Sequence, residues 1–351
     1  MGVVIFVVSR TLGNDWAAKL EDACGGRVCP NFFQDTTETS PFIMLVHHRH
    51  SFAPWDPIRW IQAKFILPEG FPAHPHRGFT TLTYFLRGGF RHRDSLGIQQ
   101  DYGQATTSTT TTTSTNTNKK HSQWLFTGAG LLHEEMFSSD PQQELYQLWI
   151  NVPSQYKLDP PDVRLLGESE CPRITVPGTS ETIVLAGEYQ GQKASAPILS
   201  DMAIFHVRID GGTWVYDIPS SSSFETIILY IRQGSCTVDG MEIPVHHTAY
   251  CEPMGSTLRV DSKDGVDFLL LAGAPLREPV AAQGSMVMTT QREIAEAYRD
   301  YQLGLMGLPW NHELSHEDWK QHVAKYPCRY QYSQQSMAKD GDDDITFANL
   351  L

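Results

Sequence analysis

The order of hydrophobic and polar residues predicts a chain built almost entirely of short β-strands. Runs of β-branched and aromatic residues are bounded by Gly, Pro and Asp, which is typical of strands joined by tight turns. Such runs lie at 1–8, 59–67, 80–86, 123–127 and 145–152 in the first half, and at 182–185, 203–209, 226–231, 236–238, 257–260 and 267–272 in the second. The pattern therefore predicts an all-β fold.

A few segments predict turns, loops and helices between these strands. Gly88 and Gly89 are typical of a tight two-residue hairpin. The spacing of apolar residues predicts short peripheral helices over 15–24, 292–303 and 315–324, the last with Ser315 as its N-cap. The Thr, Ser and Asn run at 104–120 predicts an insertion loop, since it has no apolar side chains to bury. The acidic residues 340–344 predict a loose tail.

The length of the chain and its two similar halves predict two tandem domains. A single core rarely grows to 351 residues. A polar, Pro-bearing bridge at 153–161 separates the two series of strands. We predict an N-terminal domain over 1–155, a C-terminal domain over 156–304, and a helical and acidic tail over 305–351.

Charge and cysteine content exclude some classes of function. A formal net charge of -13 argues against direct binding of nucleic acid, which needs clustered Lys and Arg. Six cysteines without a repeated short spacing indicate a reducing compartment. The apolar start of the chain is too short for a signal peptide, and no run reaches the length of a membrane span, so we expect no membrane contact.

Two pairs of polar residues predict a metal site. His74 and His76 are two residues apart, as are His133 and Glu135, and alternate side chains of a strand share a face. On neighbouring strands the two pairs would form a four-ligand pocket. Three imidazoles and one carboxylate suit iron, copper, nickel or manganese better than a structural zinc. Alternation places Glu134 on the opposite face, outside this pocket.

Other histidines are weaker candidates. His246 and His247 are adjacent and would diverge on a strand, so a structural role is favoured. The pair at 48 and 50 has suitable spacing but no carboxylate partner, which favours surface or supporting residues. His92 lies in a charged arm and is expected to be exposed and not to bind metal.

The longer motifs around these residues resemble the pirin family. The resemblance covers roughly residues 40–300 and is carried by Gly70-Phe71-Pro72-Ala73-His74-Pro75-His76-Arg77-Gly78-Phe79, His92-Arg93-Asp94-Ser95-Leu96-Gly97, Gly128-Ala129-Gly130-Leu131-Leu132-His133-Glu134-Glu135-Met136, Pro244-Val245-His246-His247-Thr248-Ala249 and Ala272-Gly273-Ala274-Pro275-Leu276-Arg277-Glu278-Pro279-Val280. Pirins are bicupins, two β-sandwich barrels in tandem, with one iron in the N-terminal barrel.

The resemblance implies that iron, Fe2+ or Fe3+, is bound by His74, His76, His133 and Glu135. Thr80 stands where many members carry Glu, and the tail beyond about 305 has no clear counterpart. The segment Pro219–Phe224 contains no His-x-His motif. The C-terminal barrel is therefore expected to be free of metal.

The resemblance further implies two functions. The first is a flavonol dioxygenase of the quercetinase type, with Glu135 as catalytic base and ligand, and flavonol and O2 as substrates. Its pocket wall is predicted to include Phe79, Leu82, Trp124 and Leu132. Four protein ligands would leave two positions on a six-coordinate ion.

The second function is an iron-dependent, redox-sensing regulator that binds transcription factors. Arg77, Arg91 and Arg93 are candidates for its exposed docking patch. A third and weaker hypothesis is that the protein is a cupin isomerase or a storage protein. We expect the protein in the cytoplasm, the nucleus or both.

Overall fold

The computed structural model describes residues 5–8, 26–32, 36–51, 70–104, 120–220, 223–251 and 255–331. Four sequence predictions lie wholly or mostly outside these residues: the helix at 15–24, the strand at 59–67, the Thr-rich loop at 104–120 and the acidic tail at 340–344.

The prediction of a mostly β fold with few short helices is confirmed. The strands of the first half are β1 Ile5–Val8, β2 Gly26–Phe32, β3 Phe42–Ser51, β4 Gly70–His76, β5 Phe79–Asp94, β6 Gln99–Gln104, β7 Lys120–Phe126, β8 Leu131–Phe137 and β9 Gln142–Asn151. Those of the second half are β10 Asp162–Gly167, β11 Arg173–Val176, β12 Ser180–Ala186, β13 Glu188–Tyr189, β14 Gln192–Lys193, β15 Met202–Ile209, β16 Gly212–Asp217, β17 Thr226–Gly234, β18 Cys236–Val238, β19 Met241–Ile243, β20 Thr248–Cys251, β21 Thr257–Ser262, β22 Val266–Gly273, β23 Ala281–Gln283 and β24 Met286–Met288. The described helices are α1 Thr36–Thr39, α2 Gln291–Gln302 and α3 His316–Lys325.

Both helices predicted near the C-terminus are present, and their caps explain where they begin. The Ser315 hydroxyl accepts a hydrogen bond from the backbone N–H of Asp318 at 3.1 Å, as predicted for an N-cap. Thr290 caps α2 in the same way, and Glu293 reaches back to the backbone N–H of Thr290 to complete a capping box.

The predicted hairpin at Gly88-Gly89 is wrong, because β5 continues through both glycines for 16 residues. Up to Arg87 the strand pairs with β9. From Gly88 to Arg93 it pairs with β6, and from Phe90 to Asp94 it also pairs with β8 on its other edge. Gly88 has a φ of 73°, and a Cβ there would lie 1.9 Å from Oε1 of Gln143. The same oxygen accepts the N–H of Gly89 at 2.9 Å. The glycines therefore let one strand pass between two sheets without turning back.

Two barrels pack side by side. The first barrel consists of the path β10-β7-β5-β9-β3-β2 together with a smaller sheet in which β4 pairs with β8, and β8 and β6 pair with β5. The second barrel faces a seven-stranded sheet, β1-β20-β17-β22-β15-β12-β11, against a four-stranded one, β16-β21-β18-β19. Sheet membership crosses the predicted boundary at residue 155, since β1 belongs to the second barrel and β10 to the first.

An apolar layer joins the barrels. Side chains of β5, β7 and β9 pack against those of β12, β15, β17 and β22, and Tyr146, Leu148, Ile204 and Leu271 are among the buried members. Burial of these apolar side chains stabilises the contact between the barrels. None of the helices in the described ranges is long and apolar enough to cross a membrane.

A cluster of buried charges lies within this layer. Arg232 of the second barrel binds both carboxylate oxygens of Glu144 in the first, at 2.8 and 2.9 Å, and a carboxylate oxygen of Asp267 at 2.8 Å. His47 lies 3.0 Å from Glu144, and His206 lies 3.1 Å from Asp267. The bidentate geometry fixes how the two barrels are oriented.

The chain after the second barrel returns to the first. Met286 and Met288 of β24, Ile294 of α2 and Trp319 of α3 pack around Leu132 of β8. We call residues 286–331 the C-terminal clasp. It covers the outer face of the smaller sheet of the first barrel.

Candidate metal centre

Three histidines meet on neighbouring strands of the first barrel. β4 and β8 pair antiparallel, with His74 opposite His133. Cross-strand partners share a face of the sheet, and residues two apart on one strand do so as well, so His76 joins them. The ligand atoms of these imidazoles all lie within 4.8 Å of one another. Their ring centroids are 4.4, 4.7 and 4.8 Å apart.

The hydrogen bonding of these rings fits a metal ion. Nδ1 of His74 donates to the Pro72 carbonyl at 2.8 Å, so the lone pair is on Nε2, which lies within hydrogen-bond distance of Nε2 of His76, at 3.1 Å. Within the described part of the chain, neither ring nitrogen of the buried His133 has a hydrogen-bond partner. Buried polar atoms without a partner are unfavourable unless another group binds them. Converging imidazole nitrogens are the donors that iron, nickel and copper prefer.

Burial keeps these imidazoles neutral. It is the largest cause that lowers the pKa of His76 and of His133 well below the ordinary value, and the neighbouring imidazoles lower both further. Burial also lowers the pKa of His74, against smaller opposing effects of the Pro72 carbonyl and of Glu135. Histidine must be unprotonated to bind a metal, so the three rings are ready to do so at neutral pH.

Glu135 lies on the same face of β8 as His133, but its carboxylate is not part of the converging group. Oε1 accepts hydrogen bonds from the hydroxyls of Thr83 and Tyr102, both at 3.2 Å. Oε2 accepts one from Nε2 of Gln147 at 3.0 Å. The structure thus brings the three histidines together and holds the carboxylate beside them. Its role as the fourth ligand stays a prediction.

Glu134 points away from this site, as predicted. Its Oε2 accepts a hydrogen bond from Nε1 of Trp310 at 2.7 Å, and its Oε1 lies 3.3 Å from Arg91 and 3.7 Å from Arg93. Burial raises the pKa of Glu134, while Trp310 and the arginines act in the opposite direction. The C-terminal clasp therefore holds the outer face of the strand whose inner face carries His133.

These contacts correct the predicted arginine patch. Arg77 and Arg93 are each only 3% exposed. Arg77 binds Asp300 of α2 at 3.0 Å, and Arg91 and Arg93 donate to backbone carbonyls at 312 and 314, both in the clasp. All three arginines bind the clasp, and Arg77 and Arg93 are too buried to form part of an exposed docking surface, while the side chain of Arg91 is 33% exposed.

The structure places the four residues of the predicted pocket wall on different faces. The ring of Phe79 lies 5.2 Å from that of His76. Leu82 and Trp124 instead face the layer between the barrels, and Leu132 packs against the clasp. Strand alternation is the reason, because Leu132 is adjacent to His133 and so points to the opposite face.

Several side chains that the sequence analysis did not select lie beside the site. Thr83 and Gln147 face Glu135, and Tyr102 also contacts Gln123 at 3.4 Å. The ring of Trp149 lies 5.4 Å from that of His76. Counting in steps of two from the histidines' face would have selected Thr83 on β5 and Gln147 and Trp149 on β9, once the register between strands is known.

His92 is not exposed, so that prediction is wrong. It is 0% exposed, and its Nε2 lies 3.1 Å from Oδ2 of Asp94. Its ring centroid is 5.5 Å from that of His133. The spacing of His92 and Asp94, two apart on β5, was the signal in the sequence. Residues two apart on a strand share a face, which is the rule that selected the metal residues.

The remaining histidines have supporting contacts. Nε2 of His48 lies 2.7 Å from Nδ1 of His50, and the ring of His48 stacks on Phe137. Nδ1 of His246 is 3.4 Å from the hydroxyl of Tyr230 in the layer between the barrels. His247 bonds to the carbonyl of Val245 at 2.9 Å.

Comparison with known proteins gives the family. The family model described as "Pirin" matches residues 25–114, and the "Pirin C-terminal cupin domain" matches residues 205–307. A "Pirin-like protein" of Solanum lycopersicum is 35% identical over 246 residues, which cover 68% of this chain and 78% of the relative. The chain belongs to the pirin family. Its two barrels are accordingly the two cupin domains of a pirin.

Other members of the pirin family carry enzyme names. A protein of Pseudomonas aeruginosa named "Putative quercetin 2,3-dioxygenase" is 32% identical over 253 residues, 68% of this chain and 81% of the relative. A crystal structure of quercetin 2,3-dioxygenase from Acinetobacter baumannii superposes with a TM-score of 0.67 at 27% identity, and the match covers 81% of this chain and 93% of that one.

Proposed function

We propose that this pirin is an iron-dependent dioxygenase that opens flavonols, with the ion held by His74, His76, His133 and Glu135. The observation that carries the proposal is the convergence of three neutral imidazoles within 4.8 Å, beside a carboxylate on the same strand face. The names of the relatives at about 30% identity support the choice of substrate and of dioxygen. Other divalent transition metals fit the same donor set.

When bound, the iron supplies Lewis acidity and a redox-active centre for reaction with dioxygen. Glu135 accepts the enolic proton of the 3-hydroxyflavone on a carboxylate oxygen. The substrate and dioxygen then give a ring-opened ester and carbon monoxide. Hydrogen bonds from Thr83, Tyr102 and Gln147 hold the carboxylate in one orientation while it acts as base.

Aromatic rings exclude water from one side of the site. Phe79 lies 4.6 Å from Trp149 and 5.2 Å from His76, measured between ring centroids. All the electrostatic interactions of the carboxylate and its donors are stronger in such a dry environment.

Carbon monoxide release tests the proposal. Iron-loaded protein in air is expected to consume oxygen and release carbon monoxide in a 1:1 ratio to the quercetin consumed, and His76→Ala is expected to abolish both with the fold intact. His247→Ala, in a turn of the second barrel, is the matched control and should retain activity. A wild-type protein that contains one iron per chain and turns over no flavonol would refute the proposal.

No observation favours the regulatory function in its place. The arginines that were expected to mark a docking patch bind the C-terminal clasp instead. Binding to transcription factors and residence in the nucleus therefore rest on family resemblance alone.

A further inference from the structure

His92 and Asp94 form a fully buried dyad on the same face as the three histidines. Both side chains are 0% exposed. In the pairing of β5 with β8, His92 lies opposite Glu135 and Asp94 lies opposite His133. Because cross-strand partners share a face, the dyad belongs to the inner face that carries the candidate metal centre.

Asp94 fixes the tautomer of His92. Its Oδ1 accepts the backbone N–H groups of Leu96 and Ile98 at 2.9 and 3.0 Å, and its Oδ2 faces Nε2 of His92 at 3.1 Å. A carboxylate used in this way is an acceptor, so Nε2 of His92 carries the proton. Nδ1 of His92 is left with its lone pair.

This lone pair has no partner within the described ranges. Nδ1 of His92 is buried and makes no hydrogen bond there. The ring of His92 is next to that of His133, with 5.5 Å between centroids. A buried acceptor without a donor is unfavourable by itself, which favours a donor that enters the site with a ligand.

We propose that Nδ1 of His92 accepts a hydrogen bond from a substrate hydroxyl other than the one whose proton Glu135 takes. This inference rests on the proposed function and narrows its substrate class to flavonols with more than one hydroxyl group. The two acceptors are cross-strand neighbours, so a substrate that satisfies both carries its second hydroxyl close to the first, as quercetin carries its 5-hydroxyl across the 4-carbonyl from its 3-hydroxyl. A buried acceptor of this kind discriminates against analogues that lack the donor.

Asp94→Asn tests the inference. The amide oxygen of Asn can keep the bonds from Leu96 and Ile98, while its NH2 group donates to Nε2 of His92. The proton of His92 then moves to Nδ1, and the acceptor becomes a donor. Asp101→Asn is the matched control, because Asp101 is exposed on the neighbouring strand β6 and the charge change is the same.

Binding is measured under nitrogen with zinc-loaded protein, so that no turnover is needed. For Asp94→Asn we expect unchanged zinc stoichiometry, about tenfold weaker binding of quercetin, and unchanged binding of 3-hydroxyflavone, which has a single hydroxyl. In 15N-histidine NMR spectra, the Nδ1 resonance of wild-type His92 should shift on addition of quercetin and should be protonated in Asp94→Asn.

The outcomes separate this inference from the proposed function. Equal affinity of wild type and Asp94→Asn for quercetin overturns the inference even if the enzyme is active, and so does a wild type that binds no quercetin. Loss of zinc in Asp94→Asn also overturns it, because His92 would then act as a metal ligand. A quercetin-specific loss of affinity supports it even if no carbon monoxide is released in air.

Discussion

The two barrels share one architecture but fill their interiors differently. The inner face of the smaller sheet in the first barrel carries His74, His133, His92 and Glu135. The interior of the second barrel is packed with apolar side chains, including Phe205, Trp214 and Phe268, each no more than 2% exposed. The same strand framework can therefore enclose a reactive site or a solid core, according to which residues take the inward positions.

The difference also shows what a polar interior requires. Glu135 has three hydrogen-bond donors and Asp94 three, so that neither carboxylate is buried without partners. The outer face of the same strands is covered by the C-terminal clasp, with Trp310 bound to Glu134. The apolar core of the second barrel needs no such network, because close packing alone stabilises it.

Replacement of His76 by Ala should have the largest effect on the first barrel. Removing one of three converging imidazoles leaves too few donors to hold the ion, so metal content measured by mass spectrometry should fall from one ion per chain to near zero. Circular dichroism should show an unchanged fold. Full retention of metal would place the site elsewhere.

Replacement of Phe268 by Ala should lower the stability of the second barrel and leave metal binding unchanged, the reverse of the result expected for His76→Ala. A cavity in its apolar core is expected to lower the free energy of unfolding by about 3–5 kcal/mol in urea titrations. Metal content of the folded fraction should not change. The control is Val215→Ala, since Val215 is 38% exposed and should lose little stability. Loss of metal without loss of stability would contradict the division between the barrels.

Replacement of Arg232 by Met tests the link between the barrels. It leaves the carboxylates of Glu144 and Asp267 buried without their cation and is expected to reduce stability by roughly 3 kcal/mol. Arg259→Met is the control, because its ion pair with Asp261 is exposed. If Arg232→Met loses no more stability than the control, the charge cluster does not stabilise the protein.

The same cluster predicts acid sensitivity. Burial alone would raise the pKa of Glu144, but hydrogen bonds from His47 and Arg232 outweigh it and hold the pKa well below its ordinary value. Stability from this group is therefore present above its unfolded pKa of about 4.3 and is lost as the pH falls below it. In unfolding curves, wild type should lose stability on acidification from about pH 5, and Arg232→Met should lose less.

Replacement of Trp310 by Phe should have the smallest effect. It removes the hydrogen bond to Glu134 and keeps the ring, so we expect about 1–3 kcal/mol lower stability and weaker metal binding. Trp319→Phe is a close control, because Nε1 of buried Trp319 has no partner within the described ranges. If both variants bind metal equally well, the clasp does not position β8.

Most strands and the convergence of His74, His76 and His133 could be predicted from the sequence, because both depend on alternation within one strand. The step of two that joins His74 to His76 is a local property of the backbone. The pocket wall depended on which face of β5 and β7 turns toward the histidines, and this is set by pairing between distant strands. Leu82 and Trp124 were assigned to the wrong face for that reason. The prediction of a hairpin at Gly88 and Gly89 was wrong for a similar reason. The side chain of Gln143, far along the chain, accepts the N–H of Gly89 and keeps β5 extended there.

The connectivity of the strands bears on how the chain folds during synthesis. β1 has its partner in β20, and Trp310 meets Glu134 only after nearly all of the second barrel has been made. The second barrel therefore includes a strand that is made before the whole first barrel, and the C-terminal clasp reaches the first barrel only after the second has been made.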